Sequence, residues 1–486
     1  PRRDRTGMKS ETQLRPIPTI AVVRPPLPDA APVERAWRQA LSNLNRCVVV
    51  LDDDPTGIQT VHGLYVYTDW SCETFVRGLT SGQPMFFVLT NSRSLSAEET
   101  RAVHMEIAEH LAQASLETGR PFLLVSRGDS TLRGHYPLET ESLRQTLEAM
   151  LPLRYSGEIL MPYFQEGGRV TIGDVHYVRT GEQLIPAGMT EFARDSTFPF
   201  SSSDLKDWCE ERTKGRYPAG EVASISLEEL RGLDYGGIVQ TLSSLSGFRK
   251  LVVNCAHGLD AEVFVTALVQ ALEEGKEFLI RSAAGLVRAL SGVELRPLLT
   301  REELRGADHG AGGLVVVGSY VDKTTGQLER LLREVPHLEP ICFQAERVLQ
   351  PDGGRAEEER VLACAERAIR AGTTAVIYTS RQVLVTQQGG AGNLALSARI
   401  SRAVSRIVAA LSVRPAFLIA KGGITSSDIG VHALGVKRAL ILGQAAPGVP
   451  VWQTGPESKF PGLSYIIFPG NVGDPDALCR LVRRLL

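Results

Sequence analysis

The sequence lacks the marks of several large protein classes. Its longest apolar runs are of strand length, well short of the roughly 20 residues that cross a bilayer as a helix, so a membrane span is not expected. An excess of one charge is missing too. Lys and Arg number 53 against 55 Asp and Glu, a net of −2, and no stripe of basic residues interleaves with aromatics, which leaves nucleic acid without a footprint. The seven cysteines, at 47, 72, 209, 255, 342, 364 and 479, form no CxxC pair and no close Cys/His cluster, which argues against structural zinc. Their odd number without a secretory signal points to isolated core thiols in a reducing cytoplasm. Neither GxxxxGK[ST] nor GxGxxG occurs, which counts against P-loop and dinucleotide folds.

What is present is an ordinary globular composition, 43% hydrophobic and 22% charged over 486 residues, enough for two or three domains at roughly 150 residues each. Residues 1–32 carry seven prolines and no apolar period, and read as a disordered tail. Val33, Ala36, Trp37, Ala40, Leu41 and Leu44 then fall on one face of a helix. Beyond it, strand-like runs (Cys47–Leu51, Leu64–Tyr67, Met85–Leu89, Phe122–Val125, Ile159–Met161) alternate with helical stretches such as Ala97–Leu116, which opens on a Ser96/Glu99 capping box. A less regular stretch, roughly 165 to 250, reads as decoration. The alternation resumes at Leu251–Asn254, and a glycine-rich seam at 306–313 marks a boundary. A second alternating set follows: Leu314–Val317, Ala375–Tyr378, Phe417–Ala420, Ala439–Leu442 and Tyr465–Phe468. The expected fold is therefore α/β in two domains, 33–305 and 306–486. Each should hold a mostly parallel sheet flanked by helices, with the active site in the cleft between them.

Ligands of open α/β sheets bind outside the carboxyl ends of strands, and the chemistry gathers there. Asp52-Asp53-Asp54-Pro55-Thr56-Gly57 closes the first strand; three adjacent carboxylates repel one another unless solvated, metal-bound or faced by cations. Asp52-x-Asp54-x-Thr56 also satisfies the DxDxT pattern of haloacid-dehalogenase-type phosphatases, in which Asp52 would be a nucleophile and Asp54 a general acid. The later Ser/Thr, Lys and acidic positions of that pattern form no ordered set here. A second loop, Asp129-Ser130-Thr131-Leu132-Arg133-Gly134, suits an anionic substrate: Arg133 can clamp a carboxylate, Ser130 and Thr131 offer hydroxyls, and Asp129 can bind a sugar hydroxyl or orient Arg133. Gln165–Arg169 and Phe192–Asp195 place Arg/acid pairs in loops, which from spacing alone read as solvated pairs. In the second half the strand ends are rich in glycine and hydroxyls: Gly318-Ser319, Gly422-Gly423-Ile424-Thr425-Ser426 and Gly470-Asn471-Val472-Gly473. Such loops let backbone amides hold phosphate oxygens. His62, His135 and His432 lie near these loops, where a lone histidine is more often structural.

Together these segments resemble the four-carbon acid sugar kinase family, long known only as a domain of unknown function. Asp53–Gly57 is similar to its DDxTG signature, Asp129–Gly134 to its DSTLRG, Gln165–Arg169 to a Pro/Glu/Gly/Arg loop, and Phe192–Asp195 to its ARD segment. The three glycine loops are similar to its GS, GGxTS and GNxG motifs, and the match runs in order over about 46–480. Pro55 stands where many members have Phe, and Arg127 where Lys is common. The resemblance implies an ATP- and Mg²⁺-dependent kinase that phosphorylates the C4 hydroxyl of a tetronate or 3-oxo-tetronate. By that reading Asp53 and Asp54 are catalytic, and Asp129, Ser130, Arg133, Arg169 and Asp195 bind the acid. Ser319, Gly422, Gly423, Ile424, Thr425, Gly470 and Gly473 bind the nucleotide. No metal ligand is assigned, and a homodimer is compatible with this reading. The rivals are the phosphatase on Asp52/Asp54 and a non-catalytic sugar-acid sensor.

Overall fold

The computed structural model describes residues 14–305, 310–318, 322–350, 352, 354–380, 389–470 and 472–486. The chain forms two compact units, one from Pro1–Thr60 with Asp69–Glu294, the other from Val61–Thr68 with Leu295–Leu486. In the first unit seven strands lie in the order Ala223–Ile225, Arg249–Val253, Gly157–Met161, Phe278–Ser282, Phe122–Arg127, Cys47–Asp52 and Met85–Leu89, every pairing parallel. Val48, Val49 and Val50 are buried on both faces, as the helix-covered interior of a parallel sheet requires.

The helices follow from local chemistry. Ala30–Asn43 starts at Asp29, whose carboxylate accepts from the Ala31 amide, and turns Val33, Trp37 and Ala40 inward. Ala97–Thr118 opens on the Ser96/Glu99 capping box and closes at Gly119, whose φ of 64° suits a glycine C-cap. Such an N-cap is worth about 1 kcal/mol.

Two expectations need correction. Residues 14–32 are not a loose tail. Ile17–Pro18 pairs with Gln183–Pro186, and the helix already begins at Ala30. Arg231, buried against Asp260 (2.8 and 2.9 Å), ties this segment down by donating also to the carbonyls of Pro25 (2.6 Å) and Val22 (2.8 Å). Residues 1–13 lie outside the described residues. Within the stretch from about 165 to 250, which also carries short helices and the Ala223–Ile225 strand of the main sheet, residues 169–186 supply three strands of a second sheet, in the order Ile17–Pro18, Gln183–Pro186, Val175–Thr180, Arg169–Ile172. Its strands are too short to show a period; the turn at Gly173-Asp174, with φ of 59° and 67°, makes the hairpin.

In the second unit eight strands run Tyr65–Tyr67, Arg438–Ala446, Val449–Thr454, Ser464–Phe468, Leu418–Lys421, Leu314–Val317, Thr374–Thr379 and Leu338–Phe343. The first three pairings are antiparallel and the last four parallel. Val315, Val317, Phe417, Ile419, Ile466 and Phe468 are buried in its core. Among the described residues no helix is long and apolar enough to cross a membrane.

Candidate functional site

In the first unit the site grows from the end of the Cys47–Asp52 strand. Asp52 is in register with Arg127 on the neighbouring strand, and Arg127 Nη1 donates to Asp52 Oδ1 (3.1 Å) and approaches Asp53 Oδ1 (3.4 Å). Gly57 turns the chain back so closely that any Cβ there would overlap the Asp52 carboxylate. Asp52 is thus enclosed, 1% exposed, and burial pushes its carboxyl up to about 7; Arg127 opposes the rise, and Asp54 and Asp53 add to it. A nucleophile must be reachable, so this burial speaks against Asp52 as the attacking group of a phosphatase.

Asp53 and Asp54 share a cation that sequence reasoning missed. Arg93, four residues past the Met85–Leu89 strand, grips Asp53 with Nε (3.1 Å) and Nη2 (2.6 Å), and Asp54 with Nη1 (2.9 Å). Burial alone would raise the pKa of the Asp54 carboxyl, but Arg93, Arg127 and the Thr56 hydroxyl and amide hold it below the usual carboxylate range. Asp53 is 2% exposed, whereas the Asp54 side chain keeps 20% of its surface open.

The second loop packs beside these carboxylates. Arg133 Nε donates to Asp129 Oδ2 (2.7 Å) and Nη1 to Asp195 Oδ2 (3.3 Å), while the Thr131 hydroxyl also bonds Asp129. Against the cost of burial, Arg93 and Arg133 hold Asp129 far below the usual carboxylate range. Arg133 and Arg169 both lie near the Phe192 ring, 5.1 and 5.8 Å from its centroid. Ser130 is fixed through its carbonyl, which accepts from Nε2 of the buried His176 (2.8 Å); Nδ1 of that ring takes the Thr171 hydroxyl (3.0 Å), and burial lowers the imidazole to about 4. Arg281 reaches Glu139 (3.2 Å), Ser126 Oγ (3.3 Å) and the Arg133 carbonyl (3.4 Å), in space left open by Gly128. Asp53, Asp54, Asp129, Ser130, Arg133, Arg169 and Asp195 therefore gather in one network. Arg93, Arg281 and His176 complete it. Arg93 follows a strand end, a placement that could have exposed it; Arg281 and His176 sit inside strands and give no such signal. Of the three histidines noted near loops, His135 bonds the Leu95 carbonyl (2.9 Å) and packs edge-on to Phe198.

In the second unit Val317, Lys421 and Phe468 are register neighbours on three adjacent parallel strands, so the loops that follow them are adjacent too. Gly422, at φ 119°, turns from strand to the Gly423–Asp428 helix. Gly318 leaves room for Thr425, whose hydroxyl any Cβ there would meet. The Thr324 hydroxyl donates to the Gly470 carbonyl (3.0 Å), and Gly473, at φ 83°, packs against Ala477. Ile424 is 57% exposed. Ser319 lies outside the described residues. Among the described residues no three His, Cys, Asp or Glu side chains group to hold a metal ion.

Residues 48–290 match the model of a sugar-binding N-terminal domain and residues 314–478 that of a nucleotide-binding C-terminal domain. The chain belongs to the four-carbon acid sugar kinase family. The acidic and arginine loops of this family member thus fall within its sugar-binding domain, and the glycine loops within its nucleotide-binding domain. No curated protein matches the chain. A Haemophilus influenzae protein of the DUF1537 family shares the fold with a TM-score of 0.59 and 17% identity, over 90% of this chain and all 100% of its own. A Salmonella typhimurium LT2 protein with a provisional tRNA-synthase label does so with a TM-score of 0.62 and 16% identity, over 90% and 98%.

Proposed function

We propose that the protein is an ATP-dependent kinase that phosphorylates the C4 hydroxyl of a four-carbon sugar acid, a tetronate or 3-oxo-tetronate. The observation that carries the reading is the network of Asp53, Asp54, Arg93, Asp129, Arg133 and Asp195 at the strand ends of a sugar-binding domain, in a chain that also carries a nucleotide-binding domain. We take 33–305 for the acid and 306–486 for the nucleotide. Arg133 and Arg169, beside Phe192, present guanidinium edges for the substrate carboxylate. Asp129, Asp195 and Ser130 take its hydroxyls. Asp54 is the better base, because it is the more open of the two candidates and stays ionised at neutral pH. It accepts the C4 hydroxyl proton as the γ-phosphoryl group transfers. Asp53, held by two nitrogens of Arg93, fixes that cation in place.

The backbone of Gly318, Gly422–Thr425, Gly470 and Gly473 cradles the nucleotide phosphates. The chain does not fit a protein-built Mg²⁺ cage: the Asp53, Asp54 and Asp129 carboxylates are paired with arginines, and among the described residues no three His, Cys, Asp or Glu side chains group to hold a metal ion. Magnesium would instead arrive with the nucleotide, where it would neutralise phosphate charge. Phosphoryl transfer is mainly positioning and charge neutralisation, which is what the arginine-rich network offers.

The test is a panel of four-carbon acids with ATP and Mg²⁺, read by ADP release. ADP formed with one of them supports the reading. No ADP with any acid, together with phosphate release from a sugar phosphate, overturns it.

A further inference from the structure

Lys421 was not among the residues expected to act, yet it is the most confined cation of the nucleotide-binding domain's loops. It ends the Leu418–Lys421 strand, in register between Val317 and Phe468, at the point where all three glycine loops begin. It is 0% exposed. Its Nζ donates to the carbonyls of Pro469 (2.9 Å) and Gly470 (3.5 Å) and lies 4.1 Å from the centroid of the Phe468 ring. Among the described residues no carboxylate stands within ion-pair distance of it. The charged group that faces it among the described residues is Lys323, on the Asp322–Glu334 helix, and that charge is of the same sign. Its neighbours at the paired strand ends are uncharged: Val317, Gly318, whose amide donates to the Lys421 carbonyl (3.3 Å), and Phe468.

A buried ammonium with carbonyls and a ring as its described partners, and a like charge facing it, is an unfinished electrostatic arrangement. Burial, and then Lys323, lower the Lys421 amine from its usual range to about 7. The carbonyls are weak compensation, and they belong to the very loop that resembles a phosphate-binding segment.

We propose that Lys421 matches the charge of the bound nucleotide: a nucleoside polyphosphate seated in the Gly318, Gly422 and Gly470 loops draws a proton onto this amine, so that nucleotide and proton bind together. The inference rests on the nucleotide reading of these loops and adds a stoichiometry to it. The sign is fixed by the chemistry. An anion favours the ammonium, so binding takes a proton up, and affinity falls as pH rises above that of the free amine. Lys421 also bonds the Pro469–Gly470 turn, so the same protonation tightens one loop against the other.

The experiment is titration calorimetry of the full chain with ADP as its magnesium complex, whose phosphates do not titrate in this range. Runs in two buffers of different ionisation enthalpy give the number of protons exchanged. At about pH 8.5 close to one proton should be taken up, falling towards none at about pH 6, and Kd should weaken by up to about tenfold per pH unit above pH 7. Binding without uptake at pH 8.5 overturns the inference and leaves the nucleotide reading standing. No binding at any pH overturns both. Lys421→Met should bind ADP more weakly and exchange no proton, and Lys421→Arg, permanently charged, should bind without uptake; uptake retained in either variant overturns the assignment to Lys421. Should these variants fail to fold, the wild-type proton count alone decides.

Discussion

Gly57 stands against the carboxylate of Asp52 with no room for a single added carbon. The pair explains why a glycine closes the Asp-rich loop: the turn that exposes Asp54 also has to pass over a buried acid. Gly57→Ala should push Asp52 off Arg127 and cost about 1–3 kcal/mol of stability, in line with overpacked cores. Chemical denaturation measures it; an unchanged midpoint would show that the loop relaxes freely. Turnover should fall further than stability, because Asp53 and Asp54 ride on the same turn.

The enclosed Asp52 gives a pH signature of its own. Its carboxyl is raised from 3.8 to about 7 in the folded chain, so the folded state holds that proton more tightly than the unfolded one. The associated stability is complete at acid pH and is lost as pH rises through 7. Asp52→Asn removes this titration. Its unfolding free energy relative to wild type should therefore climb by about 2–3 kcal/mol between about pH 5 and pH 8. A flat difference across that range would mean Asp52 is ionised throughout.

Arg93 holds two carboxylates at once and should set the acid limb of the reaction. With Arg93→Gln, Asp54 loses the nearest cation and its pKa should rise. The base must be ionised to work, so the fall in kcat/KM at low pH should begin at higher pH in the variant. A uniform loss at every pH would assign Arg93 to positioning alone.

Asp54→Asn and Arg133→Ala separate chemistry from binding. The first should lower kcat by about 10²–10⁴ with ATP affinity intact. The second should act chiefly through the KM of the acid, since Arg133 meets its carboxylate in ground state and transition state alike. Equal losses of kcat in both variants would require a different role for Arg133.

Gly318→Ala should strike the other ligand. Its Cβ would meet the Thr425 hydroxyl, so nucleotide affinity should drop while binding of the acid alone is unchanged. Calorimetry with each ligand separately tests this, and a variant that binds ADP normally would move the phosphate site away from Thr425.

Much of this was legible before the fold was known, and for a physical reason. Parallel strands buried on both faces leave continuous apolar runs such as Val48–Leu51, and the residues just past them, Asp53, Asp54 and Gly422, announce the site. The unseen parts obey weaker rules. The antiparallel hairpin around Gly173-Asp174 has strands too short to carry a period. Arg281 and Lys421 are charges within or at the end of strands, where a sequence shows neither the burial nor the partners that matter. The carbonyls of Val22 and Pro25 are held by Arg231, more than 200 positions away. No local pattern can report such a contact.

That last contact has a practical side. Ile17–Pro18 lies along the rim of Gln183–Pro186 in the small sheet whose other strands carry Arg169 and His176. Deleting the first thirty residues to shorten the chain would strip that rim and leave open backbone donors and acceptors, a template on which other chains could add strands. Ile17–Pro18 thus covers part of that edge, and a version of the protein without it should aggregate more readily than the full chain, before it loses its catalytic groups.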